Sequence, residues 1–175
     1  MYGCGDKASS KRKASEKLIA NVDFSKWIKA TFKTSPDNRH IAYVTKEGNK
    51  AFVTVDGKKE KQYDGIEISG SIFSPDNKHV AYIAISGNKC FAVMDGKEGK
   101  QYDAIDELVF SPDSKFLAYK AQISAQWFVA LDGKEGKRYD EIINSGSRTL
   151  TFDSRNNVHY LARMGDKIYM VENRI

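Results

Sequence analysis

The chain has 175 residues, of which 41% are hydrophobic and 29% charged, and its formal net charge is +5. This apolar share, with only three prolines, fits one folded domain and excludes a disordered or proline-rich chain. The excess positive charge lies in residues 1–33, which hold eight Lys/Arg against three Asp/Glu, while the other 142 residues hold 20 of each. Because residues 34–175 carry equal numbers of basic and acidic side chains, they offer no continuous basic surface to a phosphate backbone. We therefore expect no nucleic-acid binding.

The first residues are predicted to form a flexible basic leader at 1–16, ahead of the folded domain at 17–175. Gly3-Cys4-Gly5-Asp6, followed by a Ser/Lys-rich stretch, resembles the start of a mature bacterial lipoprotein, in which Cys4 would carry a lipid anchor. The other interpretation is an ordinary disordered N-terminus. The first interpretation predicts a tethered protein in the periplasm or at the cell surface, and the second leaves the cytoplasm open. No stretch approaches the ~18 apolar residues of a membrane helix.

Three short motifs recur in one order, separated by steps of 39 and 37 residues. The first is Ser-Pro-Asp followed by a segment that ends in Ala-Tyr, and its prolines are Pro36, Pro75 and Pro112. The second is Asp-Gly-Lys, which begins at Asp56, Asp95 and Asp132. The third is a Tyr-Asp pair, at Tyr63, Tyr102 and Tyr139. Three motifs that share one period indicate a repeat architecture.

Each motif has a structural interpretation. Ser-Pro-Asp-Asn is typical of a tight turn, because proline presets φ, aspartate can bond the nearby backbone and asparagine tolerates a left-handed conformation. The β-branched and aromatic residues that alternate after it predict a strand, and Gly48-Asn49 and Gly87-Asn88 predict hairpin turns. Each repeat of about forty residues therefore predicts a four-stranded antiparallel meander.

A single meander cannot bury both of its faces, and stacking such units around an axis is the propeller arrangement. A linear β-solenoid is the alternative, although its repeats are usually shorter. We expect an all-β fold, a β-propeller built of four-stranded antiparallel blades, with four blades in this chain at about 28–66, 67–105, 106–143 and 147–173.

The fourth repeat, at residues 151–172, is degenerate. It lacks the proline, and Ile175 is reached before any copy of the Tyr-Asp motif. We expect residues 17–24 to close the last blade beside residues 168–171, within one chain or between two chains. Residues 9–20 alternatively predict a short helix. A fragment of a larger ring and a homo-oligomer in which two chains share one ring stay open.

The segment from Phe73 to Tyr82, Phe-Ser-Pro-Asp-Asn-Lys-His-Val-Ala-Tyr, resembles the WD-like repeats of TolB-type periplasmic propellers and of prolyl-oligopeptidase-type peptidases. The Asp-Gly-Lys-Glu-Gly-Lys-x-Tyr-Asp block is similar to that of a bacterial sub-group of such propellers. The resemblance covers roughly residues 28–172. It implies that the first strand of each blade lines a central channel, around residues 27–32, 69–73, 107–110 and 148–152. It implies little about function, because propellers host unrelated activities.

No catalytic constellation is recognisable in the sequence. It has no G-x-S-x-G elbow and no Cys/His set with zinc spacing, so we expect no catalytic residues, no metal, no cofactor and no enzyme activity. His40 and His79 occupy the same repeat position, which favours a structural role. Cys90 lies in a predicted strand and is interpreted as a small hydrophobe.

Acidic residues offer one candidate binding region. The Tyr-Asp aspartates would form a ring if the blades are radial, either as a site for a cation or polar ligand or as acceptors for turn amides. The second interpretation is favoured, because aspartate commonly bonds turn backbone. Asp103, Asp106 and Glu107 make one segment especially acidic, and we include them among the candidate binding residues.

The other candidates lie where the repeat symmetry breaks. Repeat three replaces the Gly-Asn hairpin and places Trp127 on its strand, and the loop at 142–148 is longer than its counterparts. Exposed aromatic and arginine side chains often anchor interfaces, so the remaining candidates are Trp127, Asn144, Ser145, Ser147 and Arg148. The resulting hypothesis is a non-catalytic protein-interaction or scaffolding propeller of the bacterial cell envelope with an unidentified protein partner. The alternative is a small-ligand or glycan-binding propeller that uses the channel mouth.

Overall fold

The computed structural model describes residues 15–69, 72–144, 146, 149–154 and 157–174. These residues form four sheets, each of four antiparallel strands, which are the four blades. The all-β propeller predicted from the sequence is confirmed. No helix in the described ranges is long and apolar enough to cross a membrane.

The strands of the first two blades follow chain order across each sheet. A 3-10 turn at Lys29–Thr31 precedes them. Blade 1 contains β1 (Lys33–Thr34), β2 (Ile41–Glu47), β3 (Lys50–Val55) and β4 (Lys58–Lys59). Blade 2 contains β5 (Gly65–Glu67), β6 (Ala81–Ser86), β7 (Lys89–Met94) and β8 (Lys97–Glu98).

The last two blades differ from each other. Blade 3 contains β9 (Ala104–Phe110), β10 (Leu117–Ile123), β11 (Gln126–Leu131) and β12 (Lys134–Glu135). Blade 4 contains β13 (Glu141–Ile142), β14 (Thr151–Ser154), β15 (Asn157–Met164) and β16 (Lys167–Arg174). In blade 4 both β13 and β14 pair with β15, so its innermost strand is in two pieces and β16 is its outermost strand.

The chain crosses from one blade to the next inside each Tyr-Asp pair. The backbone N–H of Tyr63 donates to Ala51 O of blade 1 at 2.9 Å, whereas that of Asp64 donates to Ile85 O of blade 2 at 3.0 Å. The same split occurs at the two later pairs. The blades therefore begin a few residues before the limits expected at 67, 106 and 147, because the strand that follows each aspartate already belongs to the next sheet.

Consecutive blades pack through two unlike faces. We call the face of a blade that turns toward the next blade its forward face, and the opposite one its rear face. The forward face is aliphatic, as at Val44 and Val53 of blade 1, and it packs against a rear face with large aromatic rings, as at Tyr82 and Phe91 of blade 2. Blades 2 and 3, and blades 3 and 4, form equivalent clusters.

The tyrosine of each Tyr-Asp pair completes the contact between blades. Tyr102 is fully buried, and its ring lies edge-on to Tyr119 at 6.1 Å and to Phe128 at 5.5 Å, both in blade 3. Tyr63 makes the corresponding contacts with Tyr82 and Phe91. Edge-to-face geometry is the one that aromatic pairs favour, so the repeated tyrosine holds neighbouring blades together.

The segment before β1 covers the rear face of blade 1. Trp27 lies edge-on to Tyr43 at 5.9 Å, and the backbone N–H of Ile28 donates to Val44 O at 2.8 Å. Ala20 packs at the turn of Gly57, where an added Cβ would lie 3.2 Å from the Ala20 side chain. The expected pairing of residues 17–24 with the last strand is therefore not formed within the chain, because this segment packs on blade 1. Residues 15–20 form no helix, and the rest of the expected helix, residues 9–14, lies outside the described residues.

Candidate functional site

The forward face of blade 4 is the candidate site, because none of the four described blades packs against it. Leu161 and Met170 lie opposite each other in β15 and β16, so both side chains point to this face, and Ile168 shares it. Leu161 is 39% exposed, Ile168 67% and Met170 64%. At matching positions of blade 1, Val44 and Val53 are 1% and 0% exposed. Blade 4 thus presents to solvent the apolar face that the other blades bury.

The face is concave at its inner side. A depression of about 310 Å³ is lined by Ile143, Thr149, Thr151, His159, Tyr160, Leu161 and Met170. Two threonines and a histidine make one side polar, while aliphatic side chains make the other apolar. The His159 Nδ1 atom lies 2.5 Å from Asp153 Oδ1, so the imidazole already has an acidic neighbour.

The outer edge of blade 4 is also open. In blade 1, Ala51 and Tyr63 exchange two backbone hydrogen bonds of 2.9 Å, which cover the outer edge of β3. Cys90 with Tyr102, and Trp127 with Tyr139, do the same in the next two blades. Ile168 holds the matching position of β16, and among the described strands β16 pairs with β15 alone. An unpaired strand edge can accept another strand.

Charged side chains border the exposed face. The Arg163 Nε atom lies 3.1 Å from Glu141 Oε2, and its guanidinium lies 3.8 Å from Asp140 Oδ2. Lys167 opens β16 at the position where Lys50 and Lys89 open β3 and β7. Those two lysines bind Asp64 and Asp103, whereas Lys167 has no ion pair within the described ranges. The lysine is therefore free to meet an acidic group of an incoming strand.

Sequence-predicted candidates in blade 3 have contacts within the chain. Trp127 is half-buried, and the Lys120 Nζ atom lies 5.2 Å from its ring centroid. The same Nζ atom lies 2.8 Å from Asp106 Oδ2, so the structure brings Trp127 and Asp106 together through Lys120. Both carboxylate oxygens of Glu107 accept the backbone N–H of Thr149 at 3.0 Å. Whether these residues also contact a partner stays a prediction.

The loop candidates lie apart from that cluster. Asn144 is exposed, and its Oδ1 atom accepts the backbone N–H of Gly146 at 3.0 Å. Ser145, Ser147 and Arg148 lie outside the described residues, so their role as partner contacts stays a prediction. Ile143, in the same loop, lines the depression on blade 4.

The aspartates of the Tyr-Asp pairs link neighbouring blades. Asp103 Oδ2 accepts the backbone N–H of Ser124 at 2.8 Å, and its Oδ1 lies 2.5 Å from Lys89 Nζ. The hydrogen bond from Lys89, followed by that from Ser124, holds the pKa of Asp103 below its usual value. Asp140 accepts the N–H of Gly165 at 2.7 Å in the same way. Within the described ranges, no group of three or more His, Cys, Asp or Glu could hold a metal ion.

The repeated histidines pair with the Asp-Gly-Lys motif. The Nδ1 atom of His40 lies 2.6 Å from Asp56 Oδ2, and that of His79 lies 2.7 Å from Asp95 Oδ2. The other oxygen of Asp56 accepts the backbone N–H of Ile41 at 2.9 Å. These contacts tie the start of β2 to the end of β3 in one blade and recur in the next.

Sequence reasoning did not find the exposed face of blade 4. A signal for it was present, because the fourth repeat keeps the apolar alternation of Leu161, Ile168 and Met170. The edge of this repeat was interpreted as a position for the N-terminal segment. The segment packs elsewhere, so the edge and the face are exposed together.

The stack of four antiparallel blades defines a β-propeller-type protein. No model of a protein family matches the chain, and no curated protein is similar to it in sequence. Among solved structures, it is similar to TolB from Agrobacterium tumefaciens, with 17% identity and a TM-score of 0.47 over 83% of this chain and 61% of that chain.

TolB from Acinetobacter baumannii is 16% identical, with a TM-score of 0.48 over 83% of this chain and 40% of that chain. Prolyl oligopeptidase B from Galerina marginata is 13% identical, with a TM-score of 0.44 over 81% of this chain and 26% of that chain. This chain spans less than two thirds of each of these structures. The resemblance predicted from the Ser-Pro-Asp motif is thus found among structures too, and it is a likeness of fold alone.

Proposed function

We propose that this chain is a non-catalytic protein-interaction or scaffolding propeller that binds another protein through the forward face of blade 4. The observation that carries the proposal is the exposure of Leu161, Ile168 and Met170, which reaches 67% at Ile168. A contiguous exposed apolar face on a soluble domain is typical of an interaction surface. Burial of such surface contributes about 25 cal/mol per Å².

The shape of the site favours a protein over a small molecule. A sheet face next to an unpaired strand edge suits strand addition, in which backbone hydrogen bonds give affinity and side chains on the face give specificity. The edge of β16 spans Lys167–Arg174, so it can pair with an extended segment of several residues. The adjacent Lys167 ammonium favours an acidic residue in that segment.

A bacterial envelope location is part of the proposal, and it rests on the sequence around Cys4. Its support is the likeness of Gly3-Cys4-Gly5-Asp6 to the start of a mature lipoprotein. If Cys4 carries a lipid, the protein will fractionate with membranes, and Cys4→Ser will move it to the soluble fraction. Recovery of both forms in the same soluble fraction would remove the anchor from the proposal.

A small ligand or glycan is the second candidate. The depression of about 310 Å³ at Thr149, Thr151 and His159 favours it, since pockets of 300–1,000 Å³ hold small molecules. The depression lies on the forward face of blade 4, and its lining includes Thr151 of the inner strand β14. Thr151→Val would weaken a ligand that hydrogen-bonds to the hydroxyl but would leave an apolar protein contact almost unchanged.

The test of the proposed function compares two Met→Lys variants. Met170→Lys places a charge in the exposed face, whereas Met94→Lys changes a 37% exposed methionine near the end of β7, away from blade 4. Cross-linking in envelope fractions should join the wild type and Met94→Lys to a defined protein, and Met170→Lys should lose that product. Equal cross-linking of all three would contradict a role for this face.

A further inference from the structure

The opposite end of the blade stack also presents apolar side chains. Phe24 is 68% exposed and lies edge-on to Trp27 at 5.0 Å, and Trp27 in turn contacts Tyr43 on the rear face of blade 1. Phe24 and Trp27 belong to residues 15–28, which we call the covering segment because it lies on the rear face of blade 1. Leu18, in the same segment, is 76% exposed. The end of the stack at blade 1 therefore exposes the aromatic ring of Phe24.

These two ends carry the two kinds of side chain that meet where blades join inside the chain, although at blade 1 the aromatic rings belong to the segment that covers its rear face. The first two internal junctions place an aliphatic forward face against aromatic rings, as Val53 of blade 1 packs with Tyr82 and Phe91 of blade 2, and the third adds Trp127 to the forward face. Blade 4 supplies an aliphatic forward face at Leu161 and Met170, and no blade in the described part of the chain packs on it. The covering segment supplies aromatic rings at the other end.

We infer that the forward face of blade 4 binds the covering segment of a second copy of this chain, so that two chains join head to tail in one ring. This inference rests on the proposed function, because it names the partner of the same face. Like the junctions between the chain's own blades, the proposed contact places aliphatic side chains against aromatic rings, here those of the covering segment instead of a second sheet face.

Ring closure limits the number of chains. Two chains of four blades give eight blades, which lies within the range of four to eight that propellers typically have. Three chains would need twelve. A closed pair also buries both junctions, whereas an open head-to-tail stack always leaves one aliphatic end exposed and continues to grow. Within the described residues the two ends of the stack do not contact each other, since Phe24 and Met170 are both exposed.

The covering segment also suits the open edge of β16. Residues 15–23 form no regular structure, and most of their side chains are exposed. Their backbone is therefore free to pair with Lys167–Arg174 of a second copy, as Tyr63 pairs with Ala51 inside blade 1. In a head-to-tail ring, one short segment would cover both the face and the edge of the neighbouring blade 4.

The mass in solution tests the inference directly. Sedimentation equilibrium of the wild type should give twice the chain mass at micromolar concentrations. Met170→Lys in blade 4 and Phe24→Lys in the covering segment should each weaken association at least about tenfold, because both put a charge into the junction. Met94→Lys is the matched control and should stay dimeric. Circular dichroism and melting curves establish that each variant is folded.

Mixing the variants separates a head-to-tail ring from a contact between like faces. A mixture of Met170→Lys and a tagged Phe24→Lys protein has one wild-type junction per mixed pair, so it should associate more tightly than either variant alone. If blade 4 of one chain contacted blade 4 of the other, Phe24→Lys would not weaken association. That result would overturn the inference. Masses that grow without limit as concentration rises would also overturn it.

Failure of the two-chain ring can be distinguished from failure of the proposed function. A wild type that stays monomeric to about 100 µM overturns the ring. If Met170→Lys then still loses a cross-linked envelope protein, the face is an interaction surface for a different partner and the proposed function stands. If Met170→Lys changes neither mass nor cross-linking, both proposals fail.

Discussion

The Oδ2 atom of Asp64 accepts the backbone N–H of Gly87 at 2.8 Å, which joins the end of blade 1 to the hairpin turn of blade 2. The other carboxylate oxygen lies 2.6 Å from the Lys50 Nζ atom in blade 1. Asp103 repeats this arrangement one blade later. Each Tyr-Asp pair thus combines a buried ring between blades with a charged link near the surface.

Replacement of Asp64 and Asp103 by asparagine should make the melting temperature depend less on pH in the acidic range. The hydrogen bond from Lys50, followed by that from Gly87, lowers the pKa of Asp64, and the pKa of Asp103 is lowered likewise. A lowered folded pKa stabilises the protein above the unfolded pKa of about 3.9, and this stabilisation is lost as the pH falls through the folded value. We expect Asp64→Asn/Asp103→Asn to melt a few degrees lower at pH 7, with the difference shrinking below about pH 4.

Melting curves from pH 7 to about pH 2.5 measure this dependence. Asp166→Asn is the control, because Asp166 is an exposed hairpin acid without an ion pair in the described part of the chain. A difference of the same size at both ends of the pH range would show that the carboxylate charge is not the source of the stabilisation.

The tyrosine of the pair should contribute far more than the aspartate. Tyr102 is 0% exposed and packs on Tyr119 and Phe128, so Tyr102→Ala leaves a cavity between blades 2 and 3. We expect the free energy of unfolding to fall by about 3–5 kcal/mol. Tyr169→Ala is the comparison, because Tyr169 is 38% exposed and should cost about 1 kcal/mol. Urea denaturation measures both, and equal losses would refute a special role for the buried ring.

The repeated turns were the part of the fold that the sequence predicted best. Asn38 and Asn77, predicted to tolerate a left-handed backbone, have φ values of +57° and +65°. Ser114, a weaker residue for that position, has φ +64°, and its hydroxyl accepts the backbone N–H of Asp76 at 3.0 Å. Local chemistry fixes such turns, whereas the blade in which a strand pairs is decided by distant partners. The crossing between Tyr63 and Asp64 therefore was not predictable from the repeat alone.

The candidate site was harder to predict from sequence, because it too depends on contacts between distant segments. Periodicity predicts which side chains share a face, and it groups Leu161 with Ile168 and Met170. Whether that face is covered depends on where a remote segment packs, and no local pattern shows that Trp27 lies on blade 1. Trp127 is a candidate because it breaks the repeat, and Asp106 because its segment is especially acidic, and the structure shows that both contact Lys120.

Asn77 links two neighbouring turns, and its backbone conformation and side chain can be tested separately. Its Oδ1 atom accepts the backbone N–H of Asp37 at 3.0 Å. Asn77→Gly keeps the left-handed backbone but loses this hydrogen bond, with an expected cost of about 0.5–1.5 kcal/mol. Asn77→Ala loses the bond and also strains the backbone, for about 1–2 kcal/mol more. Chemical denaturation of both variants measures the two contributions, and equal stabilities would contradict backbone strain.

Lys120 is a buried charge at a position where other blades have aliphatic residues. Its side chain is 8% exposed, while Val44 and Ile83 hold the same place in blades 1 and 2 at 1% and 0%. Asp106, 45% exposed, lies 2.8 Å from its Nζ atom. Asp106→Ala leaves the buried ammonium without its carboxylate, and because Asp106 is partly solvated we expect a loss of about 1–3 kcal/mol.

Replacement of the lysine should reverse that loss. Lys120→Leu restores the aliphatic residue of the repeat, so its stability should lie within about 1 kcal/mol of the wild type or above it. The double variant Asp106→Ala/Lys120→Leu should resemble Lys120→Leu, since the carboxylate then has no buried charge to balance. Urea denaturation of the four proteins, at low salt so that the ion pair is not screened, gives the coupling energy between the two side chains. If the double variant is as unstable as Asp106→Ala, then Asp106 stabilises blade 3 through a contact other than the ion pair with Lys120.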